Sequence, residues 1–380
     1  VSRTLVITND FPPRPGGIQQ FLHGLLVRQP AGSVVVFASN WKGAEDFDAQ
    51  QPFPVIRTSS SLMVPEPRIK RRAAEIARAE GCDRVLFGAA APLGLLAPSL
   101  RSVGVERSVG LTHGHEAGWT SLPVTRQLIR RVGASVDVLT YLGEYTRSRI
   151  AGAVGPEAAS RMVRLTPGVD TDVFRPDAGG DEVRKRLGLA GRPVVVCVSR
   201  LMPRKGQDTL IKAWPAVKAQ VPDAALLLVG GGPYRKTLER LVREGGLEHD
   251  VVMTGSVPWA ELPAYYGAGD VFAMPCRTRN RGLDVEGLGI VYLEASACGL
   301  PVIAGSSGGA PDAIDRGVTG DVVDGATLAS VAHPLIKRLT DSSLRLAEGL
   351  AGRKWVTTSW SWEVQAQSLS DLLAMPDQLG

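Results

Sequence analysis

Two glutamates eight residues apart, Glu286 and Glu294, bracket the most informative stretch of this 380-residue chain: Glu286-Gly287-Leu288-Gly289-Ile290-Val291-Tyr292-Leu293-Glu294-Ala295. A carboxylate accepts hydrogen bonds from hydroxyls, so each glutamate can hold one polyol ring. Between them, glycine-rich backbone leads into a helix. The amides at its start, those of Gly289 and Ile290 among them, suit an anion. At the helical rise, eight residues cover roughly 12 Å, about the separation of the two sugars on either side of a nucleotide-sugar's diphosphate. Glu294 lies within an apolar run, which argues against two unrelated surface carboxylates.

Four further segments carry similar chemistry. Ser199-Arg200-Leu201-Met202-Pro203-Arg204-Lys205-Gly206 follows the apolar run Val194–Val198. Arg200 and Lys205 are two fixed cations suited to charge building up on a leaving diphosphate. In Asn9-Asp10-Phe11-Pro12-Pro13-Arg14-Pro15-Gly16-Gly17, the pair Gly16-Gly17 permits close backbone approach ahead of a helix. Gly230-Gly231-Gly232 either passes a nucleotide near Gly231 or merely makes a turn. Thr112-His113-Gly114-His115-Glu116 closes another apolar run. There His113 either orients a substrate or braces its own loop, and a metal site is the less favoured reading.

These loops need elements to hold them. Short apolar runs (Leu5–Thr8, Val34–Ala38, Arg84–Phe87, Val109–Thr112, Val136–Tyr141, then Val194–Val198, Ala225–Val229, Val251–Thr254, Val271–Met274, Pro301–Ala304) alternate with helical stretches. That alternation predicts parallel sheets covered on both faces, in two doubly wound halves. At about 150 residues per domain the length agrees. Thr166-Pro167-Gly168-Val169-Asp170, running on to Phe174-Arg175-Pro176, reads as the hinge. The expected domains are therefore 1–168 and 169–359, with a C-terminal helix at about 360–376 packing back onto the first. In open α/β sheets ligands bind outside the carboxyl ends of the strands, where all these segments fall.

Composition narrows the classes. Charged residues make up 21% and hydrophobic ones 44%, against disorder. No apolar run reaches the ~18 residues of a spanning helix, and no signal peptide is expected. Cys82, Cys197, Cys276 and Cys298 are widely spaced, against a zinc site or a disulfide framework and in keeping with a reduced cytoplasm. Residues 1–168 carry 20 Lys and Arg against 13 Asp and Glu, while the remainder is slightly acidic. A basic front half suggests an acidic partner. Arg68, Lys70, Arg71 and Arg72 concentrate that charge just after Leu62-Met63-Val64, as a solvated helix face or as a contact for an anionic membrane surface. The modest charge excess and the lack of a basic-aromatic module argue against nucleic acid, and the missing GxGxxG argues against a dehydrogenase.

Taken in order, Gly16-Gly17, Arg200…Lys205, Glu286…Glu294, Pro167-Gly168-Val169-Asp170…Phe174-Arg175-Pro176, Pro301-Val302-Ile303-Ala304-Gly305 and Gly308-Gly309-Ala310-Pro311 resemble the retaining GT-B glycosyltransferases of the GT4 family over nearly the whole chain. The resemblance implies two Rossmann-like domains facing each other across a cleft, the first taking the acceptor and the second the nucleotide-sugar. It implies that Glu286 holds donor-sugar hydroxyls and Glu294 the ribose. Arg200, Lys205, Gly17 and the amides of Gly289 and Ile290 would hold the diphosphate, and His113 would face the donor sugar. No metal or other cofactor is implied.

Four segments, Asn9–Arg14, Phe87–Pro92, Thr112–Glu116 and Met274–Arg279, resemble members that are GDP-mannose-dependent and act on phosphatidylinositol mannosides. That implies GDP-mannose as donor and a mannosylated phosphatidylinositol as acceptor, extended to the dimannoside through an α-1,6 linkage at the inner face of the plasma membrane. Another nucleotide-sugar or lipid acceptor, or a GT-B-fold sugar-nucleotide epimerase, is the alternative.

Overall fold

The structure, a computed structural model, describes residues 2–114 and 123–374. It divides into two units, parted between Gly168 and Val169 and again between Ser361 and Trp362.

In the first unit seven strands are β1 (Thr4–Thr8), β2 (Val34–Ala38), β3 (Val55–Arg57), β4 (Arg84–Phe87), β5 (Arg107–Gly110), β6 (Val138–Tyr141) and β7 (Met162–Arg164). They lie in the order β3-β2-β1-β4-β5-β6-β7, all parallel. The apolar runs are uninterrupted because both faces are covered. Leu5 and Ile7 of β1 join Phe37 and Val85 in one core layer, with Ile69, Ala73 and Ile76 of the helix Pro67–Ala79. Val6 points the other way, toward Val36, Leu86 and the helix Gly17–Leu26, as the two-residue period of a strand requires. The helix Trp362–Leu373 covers this second layer with Leu369 and Leu373. Its start is held by Arg28, which pairs with Glu363 at 3.2 Å and lies over the Trp362 ring. Trp360 and Ser361 belong to the other unit, where Trp360 O accepts the Val169 N–H at 2.8 Å.

The second unit repeats the plan. Its strands β8 (Val194–Val198), β9 (Ala225–Val229), β10 (Val251–Gly255), β11 (Val271–Met274), β12 (Val302–Gly305) and β13 (Gly320–Val323) run parallel in the order β10-β9-β8-β11-β12-β13. One core joins both faces, centred on Trp214, Tyr266, Phe272 and Tyr292. The buried Arg338 is matched by Glu348 at 2.6 Å and Asp321 at 2.9 Å.

Three strands go beyond the sequence reading. β3 and β7 are three residues long, and β13 opens on Gly320-Asp321, so none presents a recognisable apolar run. β5 starts at Arg107 and stops at Gly110, which puts His113 in a loop and not at the end of a strand.

Strand order reverses between β1 and β4 in one unit and between β8 and β11 in the other. Loops leaving those neighbours in opposite directions open a crevice at the carboxyl ends. The loops that follow β1 and β8 carry Gly16-Gly17 and Arg200…Lys205, and the loop that follows β11 carries Glu286 and Gly289.

Candidate active site

The second unit's crevice is assembled by close backbone contact. Gly206, with φ of 80°, ends the short turn Pro203–Lys205 and starts the helix Gln207–Gln220. A Cβ there would lie 2.1 Å from Pro275 O, so only glycine lets the loops after β8 and β11 touch. The turn delivers Lys205, buried, with Nζ 2.7 Å from Glu286 Oε2. Arg204 Nε lies 3.9 Å from the same oxygen, and Arg204 Nη1 pairs with Asp284 Oδ1 at 3.6 Å. Ser307 fixes Glu286 from behind: its Oγ accepts the Glu286 N–H at 3.3 Å, while Gly309 N–H donates to Glu286 O at 2.9 Å. Lys205 and Glu286, far apart in sequence, are thus one buried ion pair.

Arg200 is exposed at the end of β8. Gln207 Nε2 donates to Arg200 O at 3.2 Å and to Ser199 Oγ at 2.8 Å, tying this loop to the helix that follows. Gly231 supports it from the loop after β9, its carbonyl accepting the Leu201 N–H at 2.9 Å.

Gly289, with φ of 79°, turns the chain into the helix Ile290–Ala297, and a Cβ there would meet the Tyr292 ring at 2.4 Å. Glu286 precedes this helix, so the helical rise applies only from Ile290 to Glu294, and the 12 Å figure is not a measure of this loop-plus-helix arrangement. Glu294 Oε2 accepts a 2.6 Å hydrogen bond from Tyr266 Oη. Tyr266 is fully buried between Phe174 and Phe272. Burial pushes the Glu294 carboxyl up to about 7, against the downward pull of the Tyr266 hydroxyl.

In the first unit, Gly16 leads into the helix that starts at Gly17, where a side chain would meet open space. His113 Nε2 is 2.6 Å from Gly88 O, and since a carbonyl only accepts, Nε2 carries the proton and donates. Phe21, from the helix after Gly17, meets the imidazole edge-on at 5.8 Å. His113 is therefore braced by the loop after β4 and by the glycine-loop helix. His115 and Glu116 lie outside the described residues. Among the described residues no group of three or more His, Cys, Asp or Glu could hold a metal ion. The four cysteines are free and buried, with burial pushing Cys276 up to about 11.

Four partners escape the sequence reading. Arg204 stands beside Lys205 and was legible as a third cation. Tyr266, Ser307 and Gln207 carry no local signal, since each reaches the site from another element.

Residues 180–355 match the family described as Glycosyl transferases group 1. The chain is 50% identical over 384 residues, 99% of each protein, to the GDP-mannose-dependent alpha-(1-6)-phosphatidylinositol monomannoside mannosyltransferase of Mycobacterium tuberculosis (strain CDC 1551 / Oshkosh). It is 46% identical, over 98% of this chain and 97% of the other, to the GDP-mannose-dependent monoacylated alpha-(1-6)-phosphatidylinositol monomannoside mannosyltransferase of Corynebacterium glutamicum. Among solved structures, Anabaena HepE in complex with UDP superposes with a TM-score of 0.78 at 19% identity, covering 98% of this chain and 99% of that one, which places the fold as GT-B. Half-identity sustained from end to end, on two doubly wound units carrying the Lys205–Glu286 and Gly289–Glu294 arrangement, makes this chain a member of the group 1 (GT4) glycosyltransferase family.

Proposed function

We propose that the protein moves mannose from GDP-mannose to the inositol of phosphatidylinositol monomannoside, forming an α-1,6 linkage and releasing GDP. The observation that carries this reading is the 50% identity, over nearly the full length of both chains, to a mannosyltransferase named for that donor and acceptor.

The second unit would take the donor. Glu286 holds hydroxyls of the mannose, and Glu294 holds the ribose. Arg200, Lys205 and the amides of Gly289 and Ile290 would take the diphosphate. Because Lys205 pairs with Glu286 at 2.7 Å, one ion pair would link the mannose contact to the diphosphate contact. Charge building on the leaving diphosphate is met by side-chain cations and a helix N-terminus, so the reaction needs no metal ion.

Retention would follow from front-face attack. The acceptor hydroxyl enters on the leaving-group side, the new C1–O bond forms as the C1–O bond to GDP breaks, and a diphosphate oxygen takes the hydroxyl proton. The protein contributes positioning and leaving-group stabilisation.

The first unit would take the acceptor and meet the membrane. No described helix is long and apolar enough to cross a bilayer. Arg68, Lys70, Arg71 and Arg72 are exposed at the start of the helix Pro67–Ala79, whose opposite face is buried. No acidic residue sits in that first turn. The one carboxylate at this end of the helix is the exposed capping residue Glu66, which the four cations outnumber. Leu62, 60% exposed, adds an apolar shoulder. The enzyme would dock peripherally on anionic lipid at the cytoplasmic face.

A donor panel of GDP-mannose, UDP-glucose, UDP-N-acetylglucosamine and ADP-glucose, each offered with phosphatidylinositol monomannoside, tests the reading by mass spectrometry. One added hexose from GDP-mannose alone is expected. Transfer only from another donor, or release of free altered sugar with no acceptor product, would overturn it.

A further inference from the structure

The first unit carries a second recess at the carboxyl ends of its strands that the roles above leave unused. It is an open groove of about 480 Å³ lined by Asn40, Trp41, Lys42, Ser59 and Ser61, all exposed, from the loops after β2 and β3. Its lining combines an indole, two hydroxyls, an amide and an ammonium group, with no carboxylate. That set suits a polyhydroxylated ring joined to a phosphate: hydroxyls and amide bond the ring oxygens, the aromatic surface takes the C–H face, and the cation takes the phosphate.

The recess is built in advance. Asn40 N–H donates to Ser60 O at 2.8 Å, joining the two loops. Ser60 Oγ donates to Leu62 O at 2.8 Å, and Thr58 Oγ1 donates to Ser60 O at 2.7 Å, which folds the serine loop on itself. Asn9 then clamps the next residue from both sides, its Nδ2 donating to Met63 O at 2.9 Å and its Oδ1 accepting Met63 N–H at 2.6 Å. On the other wall the Arg14 guanidinium lies 5.1 Å from the centre of the Trp41 ring. Trp41 remains 39% exposed, so aromatic surface is left to line the groove. Asn9 and Arg14 belong to the loop that ends in Gly16-Gly17, so groove and glycine loop share one wall.

We infer that this groove binds the hexose the acceptor already carries, with Lys42 and Arg14 facing the adjoining phosphodiester, and so makes transfer depend on a prior mannosylation. This rests on the acceptor reading under Proposed function. An acceptor bearing one hexose differs from its unmannosylated parent only in that ring, and Trp41 with Ser59 and Ser61 is a place where the difference can be felt.

The test uses the full chain and water-soluble deacylated acceptors, glycerophosphoinositol with and without the mannose, which removes any contribution from the bilayer. Trp41→Ala, and separately the double variant Ser59→Ala with Ser61→Ala, should each lower kcat/KM for the mannosylated acceptor at least tenfold. GDP affinity should stay within twofold of wild type and the melting temperature should be unchanged, which reports an intact fold, while the unmannosylated acceptor stays a poor substrate for wild type and variants alike. In a parallel arm, the mannosylated compound alone should shift the Trp41 indole N–H resonance, assigned by its loss in Trp41→Phe. Wild-type kcat/KM in both variants, equal wild-type transfer to the two acceptors, or a defect only with vesicle-embedded acceptor would overturn the inference. If wild type transfers nothing from GDP-mannose, the acceptor reading fails by itself, and an unmoved Trp41 resonance would then reject the groove as well.

Discussion

Lys205 Nζ and Glu286 Oε2 lie 2.7 Å apart, both side chains nearly buried, one from the loop after β8 and the other from the loop after β11. A cation and a carboxylate assigned to different parts of the donor are thus each other's partner. Removing either disturbs both halves of the site.

Lys205→Ala should lower kcat about a hundredfold, the usual value of roughly 3 kcal/mol for one donor aimed at developing charge. It should also lower the melting temperature, because Glu286 is left buried with Arg204 only at 3.9 Å. Arg200→Ala should show a comparable kcat loss with an unchanged melting temperature, since Arg200 is exposed. Steady-state kinetics beside thermal melts separates the two. Wild-type turnover in both variants would mean that this loop is ordinary surface.

Glu294 should make nucleotide binding pH-dependent near neutrality. Burial raises its carboxyl from the usual 4.5 to about 7. The folded protein therefore keeps a proton that the unfolded chain gives up. This group's contribution to stability is fully present below about pH 4.5 and is lost as pH rises through 7. Binding runs the other way, because ribose hydroxyls donate best to the carboxylate, so guanosine affinity should rise between pH 6 and 8. Calorimetry with guanosine, which has no phosphate to titrate, should show that rise in wild type and its absence in Glu294→Gln. Tyr266→Phe removes the 2.6 Å hydrogen bond that pulls the carboxyl down, and should move the rise to higher pH. A flat wild-type profile would contradict the ribose role.

Changing Arg68, Lys70, Arg71 and Arg72 together to Ser should weaken co-sedimentation with phosphatidylinositol vesicles, each cation near an anionic surface being worth about 1 kcal/mol. Wild-type binding should fade as salt rises. GDP affinity should not change. Arg71 and Arg72 share Glu75 at 3.9 and 3.4 Å, so single substitutions there should have the smallest effects. Equal co-sedimentation of the quadruple variant and wild type would assign these residues to a solvated helix face.

What the sequence made legible was whatever is local. Val194–Val198 and Leu5–Thr8 are uninterrupted runs rich in β-branched residues because their strands are covered on both faces, and they were readable as such. Gly289 announced a turn into a helix, and that helix starts at the next residue. Contacts between elements were not legible. Nothing near Glu294 points to Tyr266, 28 residues earlier, and nothing near Asn9 points to Met63, 54 residues later. β13 was hidden because its outer position lets it begin with Gly320-Asp321. The recess around Trp41 joins two loops whose sequences, read singly, are plain polar turns.

The most direct measurement is carbon NMR of the product made from ¹³C-labelled GDP-mannose and phosphatidylinositol monomannoside. One new α-configured mannose, bonded to the inositol ring through an α-1,6 linkage and formed with release of GDP, is the expected spectrum. A β-configured sugar, a mannose placed on the existing mannose, or no labelled lipid at all would contradict the proposal that this mannosyltransferase acts on the inositol ring with retention.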